Sequence, residues 1–184
     1  MKGGTPLQRQ DAQQQIRLWL QLAYDAYRRR QVIRALHYFH RSLDYARENE
    51  RVQEIAVVCR DLGYVYVREG SLDHALTYCE QGLATSGVDL PIRTGLMANK
   101  ASVLARQGRY HAAFTLLQEG CGLIRSSYPD FSHAPSDLVH SHAAMTQMAE
   151  DVRRVVGFLD MGIRAERIQV EIRGHQPPWL ANEQ

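Results

Sequence analysis

The sequence predicts an all-α chain built from consecutive antiparallel helix hairpins. Apolar residues recur at helical spacing from Arg9 to Arg173, as expected when each helix buries one face. Short turns interrupt this pattern between successive helices. Only six prolines occur, and four of them lie at or after Pro129, so long helices are permitted earlier in the chain.

The clearest hairpin surrounds Gly70. Leu62 and Tyr66 lie four residues apart on one face of its first helix. Gly70 can adopt the left-handed conformation that ends a helix without steric cost. Gly63 and Ala75 have little or no side chain, so the two helices of the hairpin can approach each other closely.

The pattern of Leu62-Gly63, Tyr66, Gly70 and Ala75 resembles the tetratricopeptide repeat, which has Leu-Gly, an aromatic residue, a turn Gly and a small Ala at these positions. The resemblance implies a right-handed superhelical array of antiparallel helix hairpins, or α-solenoid. In such an array the first helices line the concave wall and the second helices form the outer wall.

Two more hairpins align with the central one. Arg30 replaces the turn Gly in the first of them, and Lys100 replaces the usual Leu in the third. The landmark alanines recur about every 40 residues, longer than the standard repeat of about 34, as in repeats of bacterial regulators and scaffold proteins. The matching residues are Trp19, Leu22-Ala23, Ala35 and Phe39 in the first hairpin, and Ala101, Leu104, Gly108, Ala113 and Leu117 in the third.

We expect a fourth, degenerate hairpin after the proline-containing break at 126–136. Its two helices are predicted at 137–149 and 152–172. A small residue follows each landmark alanine by seven places, and Gly162 would continue this series. Val155 then replaces the alanine, and Ala143 occupies the Leu-Gly site.

The predicted organisation is eight helices, with turns near Arg30, Gly70 and Gly108. A flexible arm is expected at 1–8 and a flexible tail at 174–184. The repeats are expected at about 9–50, 51–88, 91–126 and 136–173.

Composition favours a soluble, cytoplasmic protein. The net charge of +2 is too small to imply nucleic acid, and no apolar run approaches the roughly 18 residues of a membrane span. The first ten residues lack the apolar core of a signal peptide. Three well-separated cysteines within helical patterns are typical of buried thiols in a reducing compartment.

No motif favours an enzyme. The sequence has no Gly-rich phosphate loop, no nucleophile elbow and no His-Glu-x-x-His zinc helix. His37 and His40 could share a metal ion, but no carboxylate or Cys is placed to complete the shell, so a solvated surface is favoured. The basic run Arg28-Arg29-Arg30 has Asp25 nearby and is interpreted as a solvated helix end. We predict no catalytic residue, metal or cofactor.

A binding surface has more support. Tyr24 and Tyr64 occupy equivalent inward positions, as do Arg28, Arg68 and Arg106. Tyr and Arg are common interface anchors, and guanidinium groups bind carboxylates well. The alternative is that each basic residue stabilises the negative end of its own helix. The predicted peptide-binding residues are Tyr24, Tyr27, Arg28, Arg60, Tyr64, Arg68, Asn99, Ser102 and Arg106.

Small residues on the inward side of the third hairpin, including Ala98, Ser102 and Ala105, would either form a pocket or allow close approach of another helix. Some members of the family clamp the terminal carboxylate of a chaperone with a set of Lys and Asn residues. This chain lacks that set, since the corresponding positions are Leu20, Tyr24, Asp61 and Gly95.

The resemblance therefore implies a protein–protein interaction module that binds a peptide segment or partner helix, with acidic groups favoured, on its concave face. It would act as an adaptor or as the sensor domain of a regulator. Two alternatives remain. The first is a small secretion-type chaperone, which should expose apolar groove residues. The second is an enzyme on a helical scaffold, which should bind a small molecule near Ala98 and Ser102.

Overall fold

The computed structural model describes residues 6–160 of the chain. Within this range it is entirely helical, which confirms the predicted fold class. The seven helices are α1 (Pro6–Arg28), α2 (Val32–Glu48), α3 (Val52–Arg68), α4 (Leu72–Ala84), α5 (Leu90–Arg106), α6 (Tyr110–Ser127) and α7 (Ser136–Asp160). No helix in this part of the chain combines the length and apolar character needed to cross a bilayer.

The helices pack in series as a repeat array. The pairs α1–α2, α3–α4 and α5–α6 form hairpins, and α6 also packs against α7. Contacts between α3 and α5 join the first helices of neighbouring hairpins, and α5 also packs against α7. Helix α1 begins at Pro6, inside the segment expected to be a flexible arm, and proline suits a first helical position.

The three predicted turns are confirmed and share one geometry. Gly70 and Gly108 have φ angles of 78° and 76°, and Arg30 adopts the same left-handed conformation with φ 61°. A residue with a side chain costs roughly 1–2 kcal/mol in that conformation. In each turn the residue that follows donates a backbone N–H hydrogen bond to the carbonyl five residues earlier, which caps the end of the helix. The donor–acceptor pairs are Gln31–Ala26, Ser71–Tyr66 and Arg109–Leu104.

Small residues let the helices approach each other, as expected. A Cβ added at Gly63 would lie 2.9 Å from Sγ of Cys79, and one added at Gly82 would lie 2.6 Å from a methyl carbon of Leu96. The first contact lies within the α3–α4 hairpin, and the second lies between α4 and α5. Close packing at these glycines therefore sets the spacing within one hairpin and between that hairpin and the next.

The predicted break between residues 149 and 152 is wrong, because α7 continues through it. Neither Gly nor Pro occurs there to end the helix. In addition, Met145, Met148, Val152 and Val155 recur at helical spacing and are all at most 3% exposed, so one face stays buried throughout. Most of the predicted helix 152–172, including Gly162, lies outside the described residues.

Candidate functional site

The first helices α1, α3 and α5 carry all nine predicted binding residues, and polar contacts link these helices to one another. The link between α1 and α3 is a buried network around Asp61. Tyr24 donates a hydrogen bond to Oδ2 of Asp61 over 2.7 Å. Arg60 donates from Nε and Nη2 to Oδ1 of the same carboxylate, over 2.9 and 2.8 Å.

This network compensates the charge of Arg60 inside the protein. The Asp61 side chain is fully buried and that of Arg60 is 12% exposed. Burial by itself lowers the pKa of Arg60, but the neighbouring Asp61 carboxylate outweighs it and the pKa is raised. Burial, followed by the charge of Asp61, raises the pKa of Tyr24 far above its usual value. The three groups therefore hold α1 and α3 together as a tyrosine–carboxylate–guanidinium unit.

Two further hydrogen bonds tie α5 to α3. Nδ2 of Asn99 donates to the backbone carbonyl of Arg60 over 2.9 Å. Nη1 of Arg106 donates to the carbonyl of Val67 over 2.5 Å, near the end of α3. Arg106 thus stabilises a helix end, although the end belongs to the neighbouring first helix.

Several predicted binding residues are buried. Tyr64 is 7% exposed, Asn99 is 1% exposed and Ser102 is fully buried. Ala98 and Ala105 lie in the same buried cluster as Leu138 of α7. The small residues of α5 therefore allow close approach of another helix. Tyr64 likewise belongs to the buried cluster around Phe39.

The remaining four predicted residues form a surface that we call the arginine rim: Tyr27, Arg28, Arg68 and Arg106. The three arginines are exposed and are the last residues of α1, α3 and α5. Arg28 forms an exposed ion pair with Asp25. Arg68 forms neither an ion pair nor a hydrogen bond within the described residues. Burial raises the pKa of the half-buried Tyr27, and the charge of Arg68 opposes this shift.

The sequence did not reveal an aromatic cluster that joins α2, α3 and α4. Nε2 of His40 lies 3.1 Å from the Tyr66 hydroxyl, and Nδ1 lies 3.5 Å from that of Tyr78. The two tyrosine rings stack with centroids 5.6 Å apart, and His74 stacks on Tyr66. The pKa of His40 is lowered, mainly by burial. His40 is thus a packing residue, and within the described residues no group of three or more His, Cys, Asp or Glu side chains is arranged to hold a metal ion.

Comparison with known proteins finds one family. Residues 94–128 match a model described as tetratricopeptide repeat, and this segment covers most of α5 and all of α6. The match supports assigning the chain to that family, whose repeats generally mediate protein–protein interaction and whose members are generally non-catalytic scaffolds. No curated protein and no solved structure matches the chain.

Proposed function

Because the chain carries a tetratricopeptide repeat, we propose that it is a protein-interaction module that binds a peptide segment or partner helix along the arginine rim. The observation that carries this proposal is the set of exposed arginines at equivalent ends of three successive first helices. An extended or helical partner that crosses α1, α3 and α5 would meet one guanidinium group from each helix.

The local charge favours a partner with acidic groups. Arg29, Arg30 and Arg109 stand close in sequence to the rim, whereas the nearby acidic residues are Asp25 and Glu69. Guanidinium groups bind carboxylates in a two-point geometry, and a positive surface accelerates encounter with a negative partner. Tyr27 adds aromatic contact area at low entropic cost.

The rim rests on a rigid support. The buried Asp61 network fixes α3 against α1, and the bonds from Asn99 and Arg106 fix α5 against α3. A surface that is already ordered loses less entropy on binding.

We also infer a reducing compartment such as the cytoplasm, where the module would act as an adaptor or as the sensor domain of a regulator. The free cysteines Cys59, Cys79 and Cys121 support this, since unpaired thiols are typical of reducing compartments.

Photo-crosslinking tests the location of binding. A photoreactive phenylalanine analogue at Tyr27 should crosslink a partner in native extract, whereas the same analogue at Tyr38, half-buried on α2, should not. Mass spectrometry of the crosslinked segment should identify a peptide rich in Asp and Glu. Crosslinking only from position 38, or to a basic segment, would contradict the proposal.

The affinity of that segment then tests the arginines. Arg28→Gln/Arg68→Gln should weaken binding about tenfold, because each partly exposed charge pair contributes roughly 0.2–1 kcal/mol and 1.4 kcal/mol corresponds to a factor of ten. The control Arg41→Gln/Arg93→Gln removes the same charge from exposed sites in the middle of α2 and at the start of α5. Equal losses in both variants, measured by fluorescence anisotropy, would mean that only the net charge matters.

A further inference from the structure

A cleft with a volume of about 240 Å³ separates α6 from α7, away from the arginine rim. Both helices contribute apolar and basic side chains to it. The residues used here are Phe114, Cys121 and Arg125 from α6 and His142, Ala149 and Arg153 from α7. The volume is below the roughly 300–1,000 Å³ of drug-sized sites, so only a small ligand would fit.

Part of the cleft is apolar and well packed. Cys121 is 6% exposed, and its Sγ atom lies 3.7 Å from Oγ1 of Thr146 on the opposite helix. Phe114 and Ala149 are half-buried beside it. These side chains offer a ligand an apolar surface to cover.

His142 presents a buried ring nitrogen that lacks a hydrogen-bond partner within the described residues. This nitrogen is Nε2, and the ring packs on Phe131 with centroids 4.8 Å apart. Burial, followed by the charge of Arg125, lowers the pKa of His142, so the ring is neutral at pH 7. An unsatisfied buried polar atom costs roughly 1–3 kcal/mol, and a ligand that hydrogen-bonds to it would relieve that cost.

The charged groups of the cleft favour an anion. Arg125 and Arg153 are exposed, and neither forms an ion pair or a hydrogen bond with the side chains that the structure describes, residues 11–157. Glu150 is the acidic residue of the lining, so two guanidinium groups face one carboxylate. The balance is positive, and planar guanidinium groups suit a carboxylate ligand.

We propose that this cleft binds a small organic carboxylate with an apolar body. The carboxylate lies between Arg125 and Arg153, the apolar body covers Phe114 and Cys121, and His142 completes the polar contacts. The ligand bridges α6 and α7. The site is independent of peptide binding at the rim.

Benzoate titrated into the ¹⁵N-labelled full chain is the test, with acetate as the ligand that lacks an apolar body. Benzoate should cause saturable NMR shifts at the backbone amides of Cys121 and Thr146. It should bind about tenfold more tightly than acetate, because its ring covers the apolar surface. Saturation should also raise the pKa of His142, since a nearby carboxylate favours the protonated ring.

Matched variants distinguish benzoate binding at the cleft from a general effect of the protein's positive charge. Arg125→Gln/Arg153→Gln should weaken benzoate binding at least fivefold. Arg93→Gln/Arg154→Gln removes the same charge from the start of α5 and from α7, and should leave binding unchanged.

Four results would overturn the proposal. The first is benzoate shifts that do not saturate, and the second is shifts that persist in the Arg125→Gln/Arg153→Gln variant. The third is equal affinity for acetate, which would mean that the apolar surface is not used. The fourth is a response at Cys121 and Thr146 to a partner peptide but not to benzoate, which would make the cleft a protein-docking surface.

Discussion

Replacing Asp61 with Asn tests the most deeply buried charge in the described structure. The change keeps the side-chain shape but removes the negative charge that faces Arg60. Asparagine can still bond to Tyr24 and to one guanidinium N–H. What remains is a positive charge on a side chain only 12% exposed, without a countercharge.

The expected loss is large. Breaking a buried ion pair by removing one partner typically costs 3–5 kcal/mol. We expect about 3 kcal/mol here, because Arg60 keeps some contact with water. With an m-value of about 2 kcal/mol/M, the midpoint of urea unfolding should fall by about 1.5 M.

Urea unfolding followed by circular dichroism measures this loss, with two controls. Asp25→Asn breaks the exposed pair with Arg28, whose side chains are 49% and 40% exposed, and should cost no more than about 1 kcal/mol. Arg60→Met/Asp61→Asn removes both charges and should recover at least half of the loss. If Asp61→Asn costs as little as Asp25→Asn, or if the double variant is less stable than the single one, the reasoning about the buried charge is wrong.

Three further predictions concern local packing and protonation. Arg30→Gly should raise the free energy of unfolding by about 0.5–1 kcal/mol, because the residue has φ 61° and glycine relieves that strain at some cost in chain entropy. A lower stability of this variant in thermal or urea unfolding would contradict the prediction. Gly120→Ala should destabilise by about 1 kcal/mol, since its Cβ would overlap Cε at the flexible end of the fully buried Met145 side chain, which would have to shift. Gly122→Ala has no neighbour within 4 Å and should stabilise by up to about 1 kcal/mol, so equal melting temperatures for these two variants would refute the packing argument. The lowered pKa of His40 means that the fold favours its neutral ring, so stability should decrease as the pH falls below the ordinary pKa of 6.5. His40→Gln should flatten this dependence when the midpoint of urea unfolding is measured from pH 5 to 8.

Local sequence signals were enough to predict much of the fold. Gly70 and Gly108 mark their turns because few other residues enter the left-handed region readily. The turn at Arg30 was predicted only from its alignment with them. In α7, repeat spacing suggested a break, but without Gly or Pro the continuous apolar face kept the helix intact.

The binding face was harder to predict than the helices. Repeat spacing placed Arg28, Arg68 and Arg106 at equivalent helix ends, and the structure has them there. Ser102 is fully buried on α5, which packs against α3 and α7, and no local pattern encodes that packing. Similarly, Asp61 meets Tyr24 from a position 37 residues away, so the sequence could not tell that Tyr24 belongs to a buried network.

The hydrogen bonds between first helices have a consequence for how the array unfolds. Each of them joins adjacent hairpins: Tyr24 to Asp61, Asn99 to the Arg60 carbonyl, and Arg106 to the Val67 carbonyl. In a linear array, cooperativity is set by such coupling between nearest neighbours. Releasing any one of α1, α3 or α5 breaks at least one of these hydrogen bonds to a neighbouring hairpin. These three hairpins should therefore melt as a single cooperative unit and not one after another.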